Sequence, residues 1–186
     1  MKKAPYDLHY QQSDLFAEPL EELISFFQAL VPRRTIWDLG AGQGRDALRL
    51  AQMGHRVFAF DISSVGLDQL RTKIPPHYQE SVSCRQADIY RLPIEPSCEV
   101  ILMDSMLHFY KRDYEKESTL VHRLSNELRP DGLLALAIVS NPRTKRALTD
   151  LKDGPWNAWS LLVDQQIVHK SSGARYEFLV LRKEDQ

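Results

Sequence analysis

From Thr35 onward, short apolar runs and amphipathic stretches take turns along the chain. "RTIWDLG", "HRVFAFD", "SVSCRQAD" and "CEVILMD" are runs of strand length, and "GLLALAIV" is continuously apolar, as in a strand buried on both faces. Between them, "GRDALRLAQMG", "SVGLDQLRTK" and "YEKESTLVHRLSNELR" carry their apolar residues at helical spacing; in the last, Leu120, Val121, Leu124 and Leu128 share a face. Gly54 suits a helix C-cap, and the paired Pro75 and Pro76 close the next helix. Upstream, Phe16, Leu20, Leu23, Phe27 and Leu30 recur at the same spacing, predicting a helix over Asp14 to Leu30 that Pro32 ends. Strand and helix in turn predict an α/β fold with a doubly wound, mostly parallel sheet. The last segment departs from that rhythm. "WSLLVDQQIVHK" and "RYEFLVLRK" are strand-like and only "SSGA" separates them, a connection short enough to join only antiparallel neighbours. Seven strands result, the last two an antiparallel β-hairpin.

The 186 residues suffice for one domain with a sizeable core. Its expected parts are an N-terminal helical lid over residues 1–32, a core over 33–140, and a helix or turn with the hairpin over 141–186. No repeat or low-complexity tract interrupts it. Lys and Arg number 24 against 25 Asp and Glu, a formal net charge of −1, which argues against whole-surface attraction to nucleic acid or an anionic membrane. No apolar run has the length to span a bilayer, and the N-terminus has no apolar stretch behind its lysines, so a cytoplasmic location is expected. Cys84 and Cys98 lack metal-ligand spacing and lie in or beside apolar runs, where free cysteine behaves as a small hydrophobe; no metal is expected.

The candidate chemistry sits in "TIWDLGAGQGRDALRL", a strand, a turn with three glycines and a helix. Turns of this kind approach nucleotide-like cofactors. A P-loop requires Lys and then Ser or Thr after its last glycine, whereas Arg45 and Asp46 follow Gly44, and Asp46 puts a negative charge where a phosphate would lie. Gly42, Gly44 and Ala47 do match a dinucleotide fingerprint, with Asp61 ending the next strand as a ribose ligand would. Against it, the carboxylate of Asp38 would repel a pyrophosphate, though it could accept from an ammonium group. The glycines are also spaced early, and little chain remains for a second substrate domain. A small NAD-linked oxidoreductase therefore stays as an alternative.

The motifs resemble, in order, those of class I S-adenosylmethionine-dependent methyltransferases, a Rossmann-like fold. The acid and alternating glycines read "DLGAGQG", the acid ending strand two "FAFDIS", the acid ending strand three "RQADIYRLP", and the region ending strand four "VILMDSMLHF". "LRPDGLLALAIV" follows as the usual helix–turn–strand, and the terminal hairpin is a hallmark of that fold. The likeness covers residues 34–186, with the "GAGQGRDALRLAQMGHRVFAFDIS" stretch most similar to small-molecule enzymes of the tellurite-resistance and thiopurine type. It implies S-adenosyl-L-methionine as cofactor, with Gly40, Ala41, Gly42 and Gly44 letting backbone approach it. It also implies Asp38 near the methionine amine, Asp61 accepting both ribose hydroxyls, and Ile62 on the adenine face. Asp88 would accept from the adenine amino group, the Ile89 amide would donate to the ring, and Asp104 with Ser105 would line the methionine end. The bland alternative for these acids is capping of turns and helices.

Methyl transfer from a sulfonium is an in-line displacement and needs a general base only if the nucleophile carries a proton. The loop after strand four is "DSMLHFYKRDY", in which His108 is the candidate base or substrate ligand, or else an ordinary hydrogen-bonded loop histidine. Met106, Leu107 and Phe109 would wall a pocket or pack on the core. Tyr6, His9 and Tyr10 suit an N-terminal lid, with Tyr10 a second catalytic candidate. Arg143, Lys145 and Arg146 would draw in an anion or merely solvate a helix start, and Trp156 and Trp159 suit packing. "DSML" stands where base-modifying relatives carry "NPPY" or "DPPY", so the expected partner is a small-molecule substrate, with neither nucleic acid nor membrane. A regulatory protein that binds the cofactor without turnover is the alternative from another class.

Overall fold

The computed structural model describes Asp7, Tyr10 and residues 18–185, which fall into two compact units, one ending at Leu92 and one beginning at Pro93. The first holds α1 (Glu21–Ala29), β1 (Thr35–Leu39), α2 (Arg45–Gln52), β2 (Arg56–Asp61), α3 (Ser64–Lys73), a 3₁₀ turn (Pro76–Tyr78) and β3 (Val82–Gln86). Its strands lie in the order β3-β2-β1, all parallel, with Asp38 opposite Ala59 and Asp61 opposite Gln86. Ile36, Trp37, Leu50, Val57, Phe60, Leu67 and Leu70 are buried, and the Trp37 and Phe60 rings pack 4.6 Å apart. Burying each such side chain contributes about 1.5–3 kcal/mol.

The first helix is shorter than its periodicity predicts. Glu18 to Leu20 are not helical, and residues 14–17 lie outside those described. Pro19 supplies the reason, because a proline disfavours helical backbone at the residue before it. The apolar spacing still does its work, since Leu20, Leu23 and Phe27 are buried. His55 ties this corner together: its Nδ1 accepts from the Arg34 amide at 3.1 Å and its Nε2 faces the Phe27 carbonyl at 2.9 Å. One nitrogen accepts and the other donates, so the ring is held neutral, and burial lowers its pKa below the usual 6.5.

The second unit holds β4 (Val100–Asp104), α4 (Tyr114–Glu127), β5 (Leu133–Val139), α5 (Pro142–Asp153), β6 (Ser160–Val168) and β7 (Arg175–Arg182). The strand order is β4-β5-β7-β6, with β4 parallel to β5 and both contacts of β7 antiparallel. The hairpin is therefore present, but its second arm lies beside β5. Phe178 to Leu181 are buried, whereas much of β6 is exposed, so the arm with the continuous apolar run takes the interior place. Asn141 opens α5 with a capping box, and Lys183 closes α4 by donating to the carbonyls of Ser125, Asn126 and Leu128. Trp156 is buried and donates to Ser125 Oγ at 2.8 Å, a packing role.

The seven strands, mostly parallel with an antiparallel C-terminal pair, make the α/β class doubly wound and Rossmann-like. Cys98 is fully buried and Cys84 half-buried, and burial pushes the Cys84 thiol up in pKa, as suits packing. Among the described residues, no helix is long and apolar enough to cross a membrane.

Candidate functional site

In the first unit, the turn from Gly40 to Gly44 is built by three residues with positive φ, at 88°, 51° and 81° for Gly40, Gly42 and Gly44. A β-carbon would strain each of them. The end of β2 pins the turn: the Gly40 and Ala41 amides donate to the Phe60 carbonyl at 2.8 and 3.0 Å. One residue on, Asp61 accepts from the Gly42 amide through Oδ2 and from the Ser63 amide through Oδ1, both at 2.8 Å. Thus Asp61 does act as a local clamp. A carboxylate offers about four acceptor directions, and with the Ile62 amide also acting on it Asp61 still keeps acceptor capacity for a ligand hydroxyl. Burial pushes its carboxyl above the ordinary 3.8, against the lowering effect of the Ser63 and Gly42 amides.

The other residues expected around the turn are distributed along the same three strand ends. Asp38 is buried near the end of β1. Ile62 follows Asp61 and is 47% exposed, an apolar side chain held out rather than packed in. Asp88 spends Oδ1 on the Tyr90 amide at 3.0 Å, the turn-capping role considered for it, while its side chain remains 41% exposed. Ile89 is buried beside it. The acceptor capacity left on Asp61, an outward apolar side chain and a further carboxylate fit the hydroxyls, ring face and amino group of the adenosine end of S-adenosylmethionine.

Tyr10 rests on this turn. A β-carbon on Gly42 would lie 2.5 Å from the Tyr10 hydroxyl oxygen, and one on Gly66 would lie 3.2 Å from its ring. Gln69 donates to the Tyr10 carbonyl at 2.5 Å and takes a bond from Gln43, and Ser63 Oγ bonds Asp7 at 2.5 Å. Tyr6 and His9 lie outside the described residues. Ser63, Gln43 and Gln69 were not singled out by the sequence, although Ser63 carries a readable signal as an N-cap three residues before Gly66.

In the second unit, β4 ends at Asp104, which accepts from Ser105 Oγ at 2.9 Å. The loop then takes positive φ at two non-glycine residues, 59° at Ser105 and 49° at Phe109. Glu117, buried on α4, holds it by accepting from the His108 amide at 2.9 Å and the Phe109 amide at 2.5 Å. Leu107 and Phe109 are buried, in keeping with packing on the core. His108 is half-buried with its ring 5.4 Å from that of Tyr110. Arg143 donates through Nε to the His108 carbonyl at 3.1 Å, and its guanidinium lies 4.4 Å over the Tyr110 ring. Lys145 instead pairs with Glu177 at 3.6 Å. The signal for Glu117 was available: it falls on the apolar stripe of α4 with Leu120, Val121 and Leu124, where an acid has no solvent and needs donors.

The model of a family described as a methyltransferase domain matches residues 37–136, more than half of the chain. The chain belongs to that family, of the class I S-adenosylmethionine-dependent kind. Among curated proteins it is similar to the carboxy-S-adenosyl-L-methionine synthase of Aeromonas salmonicida (strain A449), 32% identical over 111 residues. That match takes in 57% of this chain but only 44% of the synthase. Among solved structures, the magnesium protoporphyrin IX methyltransferase of Synechocystis PCC 6803 with bound S-adenosylmethionine superposes with a TM-score of 0.73 at 14% identity, covering 97% of this chain and 92% of that one. TehB from Haemophilus influenzae gives 0.69 at 15% identity, covering 96% and 66%. At those identities the structures speak for the fold.

Proposed function

We propose that this protein, as one methyltransferase domain, transfers the methyl group of S-adenosyl-L-methionine to a small-molecule acceptor. The observation that carries the reading is Asp61: it fixes the glycine turn through the Gly42 and Ser63 amides and keeps acceptor capacity for a ligand hydroxyl. Asp61 would hold the ribose hydroxyls and Ile62 the adenine face. Asp88 and the Ile89 amide would take the adenine edge, and Gly40 to Gly44 with Asp38 the methionine portion. Tyr10, seated on Gly42, would cover that portion of the site as a lid. When bound, the cofactor supplies an electrophilic methyl on a sulfonium. The chain's contribution is to orient the two reactants, which supplies much of the rate in a displacement. His108 would accept the acceptor's proton where the nucleophile carries one. Its ring has no hydrogen-bond partner among the described residues, which supports that role over a structural one.

A small acceptor is supported by the "DSML" stretch after β4, which lacks the proline–aromatic pattern used to stack a flipped base. The curated relative supports a second reading, in which the product is a carboxylated S-adenosylmethionine. Incubation with S-adenosylmethionine, an acceptor library and a set of small carboxylic acids as carboxyl donors, followed by mass spectrometry of both nucleoside and acceptor, separates the two. We expect S-adenosylhomocysteine to accumulate with an acceptor heavier by one methyl, and Asp61→Asn to abolish both signals. A carboxylated sulfonium without S-adenosylhomocysteine would favour the second reading. Cofactor binding with no turnover across the library would favour a regulatory protein.

A further inference from the structure

The second unit presents a cationic platform beside His108 that no counter-charge uses. Arg143 is fixed at two points: Nε donates to the His108 carbonyl, and the guanidinium sits over the Tyr110 ring. Its terminal nitrogens have no acceptor among the described residues, and neither Arg143 nor Lys111 forms an ion pair there. The neighbouring charges are already spent. Arg112 pairs with Asp113 at 3.1 Å, Lys145 with Glu177, and Asp150 accepts from the Tyr114 hydroxyl at 2.9 Å. Tyr110 itself is 46% exposed, a large ring left at the surface under a charged group.

The backbone beneath is expensive to hold in this shape. Ser105 and Phe109 occupy left-handed backbone that side-chain-bearing residues rarely adopt, and the buried Glu117 secures the amides of His108 and Phe109. Strain of this kind persists where the surroundings enforce it. Its result here is to set the His108 and Tyr110 rings 5.4 Å apart on one loop and to offer the His108 carbonyl to Arg143. A guanidinium whose Nε is already engaged keeps its two terminal nitrogens, and a pair of N–H groups at that spacing matches the two oxygens of a carboxylate or phosphate.

We propose that Arg143, stacked on Tyr110 and assisted by Lys111, binds an oxyanion on the acceptor and holds that acceptor beside His108. The oxyanion is a carboxylate or a phosphate carried by a small, partly apolar molecule whose body lies along Tyr110. Naming it an acceptor rests on the methyl-transfer reading; the anion site itself does not.

The test uses the whole protein with ¹⁵N-labelled arginine, following the Nε–H resonance that Arg143→Gln removes. Sodium benzoate, phenyl phosphate and neutral benzamide are titrated in turn to about 50 mM, a range that detects millimolar binding. We expect benzoate or phenyl phosphate to shift the Arg143 resonance saturably and benzamide to leave it in place. Whichever anion binds tighter identifies the source of the oxyanion. Followed by ligand-detected NMR, Arg143→Gln should weaken binding of that anion at least tenfold. Arg143→Lys, which keeps the charge and loses the fork, should weaken it by a smaller factor. An Arg143 resonance unmoved by both anions, an equal response to benzamide, or undiminished anion binding in Arg143→Gln would overturn the proposal. S-adenosylhomocysteine is titrated separately by calorimetry, so failure of the anion site with cofactor binding intact is distinguishable from failure of the methyl-transfer reading.

Discussion

Two loops in this protein leave the ends of parallel strands and are tied down by the same device. In the first unit Asp61 accepts two backbone amides, those of Gly42 and Ser63; in the second Glu117 accepts two, those of His108 and Phe109. Both loops take positive φ. The first does so at glycines, where it costs little, and the second at Ser105 and Phe109, where it is strained. The first loop can therefore hold its shape largely by composition, and its carboxylate keeps acceptor directions for a ligand. The second must be held by its carboxylate, which is buried and committed to structure. The loop proposed for the cofactor has local preferences that agree with its fold, and the loop proposed for the acceptor is forced against them.

The largest effect should come from removing the second lock. Glu117→Ala leaves two inward amides without an acceptor, and we expect a loss of about 2–4 kcal/mol in urea unfolding. Glu117→Gln, whose amide oxygen still accepts, should lose roughly half of that. S-adenosylhomocysteine affinity should move by less than about twofold in the glutamine variant, because Glu117 bonds the His108 and Phe109 amides and none of the first-unit residues proposed to hold the cofactor. A variant as stable as wild type would show that the strained loop stands without its carboxylate.

The same asymmetry explains what could be read from the sequence. Glycines at 40, 42 and 44 and an acid ending the following strand made the first loop legible as a turn and a candidate site, though not the bonds from the Gly42 and Ser63 amides to Asp61 or the contacts of Gln43 and Gln69. Nothing local distinguishes Ser105 or Phe109 from ordinary loop residues. Their conformation follows from Glu117, eight residues beyond Phe109, and from Arg143 still further on. The helix over Ser64 to Lys73 emerged with its expected bounds, since Ser63 caps it and Pro75 follows. The first helix was read too long because its apolar spacing continues through Pro19. The hairpin was legible from its short turn, whereas the placement of β7 beside β5 required comparing the apolar content of the two arms.

Next in size is the first loop's own geometry. Gly42→Ala adds a β-carbon at φ 51° and 2.5 Å from the Tyr10 hydroxyl, and we expect a loss of about 1–3 kcal/mol. Combining it with Tyr10→Ala should recover the steric part and leave the backbone part, so the double-mutant cycle measures how tightly the N-terminal residues press on the turn. Additive losses would mean that they do not.

The carboxylate proposed to hold the ribose should also titrate. Asp61 must be ionised to accept two hydroxyls, and burial raises its pKa above 3.8. Affinity for S-adenosylhomocysteine should accordingly fall as pH is lowered through that raised value, approaching tenfold per pH unit below it. Calorimetry between neutral and acid pH, repeated on Asp61→Asn, checks this; a wild-type profile as flat as the variant's would detach the ribose from Asp61.

The smallest effect belongs to the frame behind the first loop. His55 has its pKa lowered by burial, so as pH falls below 6.5 the unfolded chain takes up the proton first. Its contribution to stability is complete above 6.5 and declines as pH falls from there through the folded value. The urea midpoint should follow that direction in wild type and lose this component in His55→Gln, which sharpens the assignment of pH sensitivity to the first unit.

Calorimetric titration of purified protein with S-adenosylhomocysteine, on wild type and on Asp61→Ala confirmed as folded by circular dichroism, tests the central claim most directly. The account predicts micromolar binding that the substitution removes. Undiminished binding in Asp61→Ala, or tight NADH binding with no response to S-adenosylhomocysteine, would contradict it.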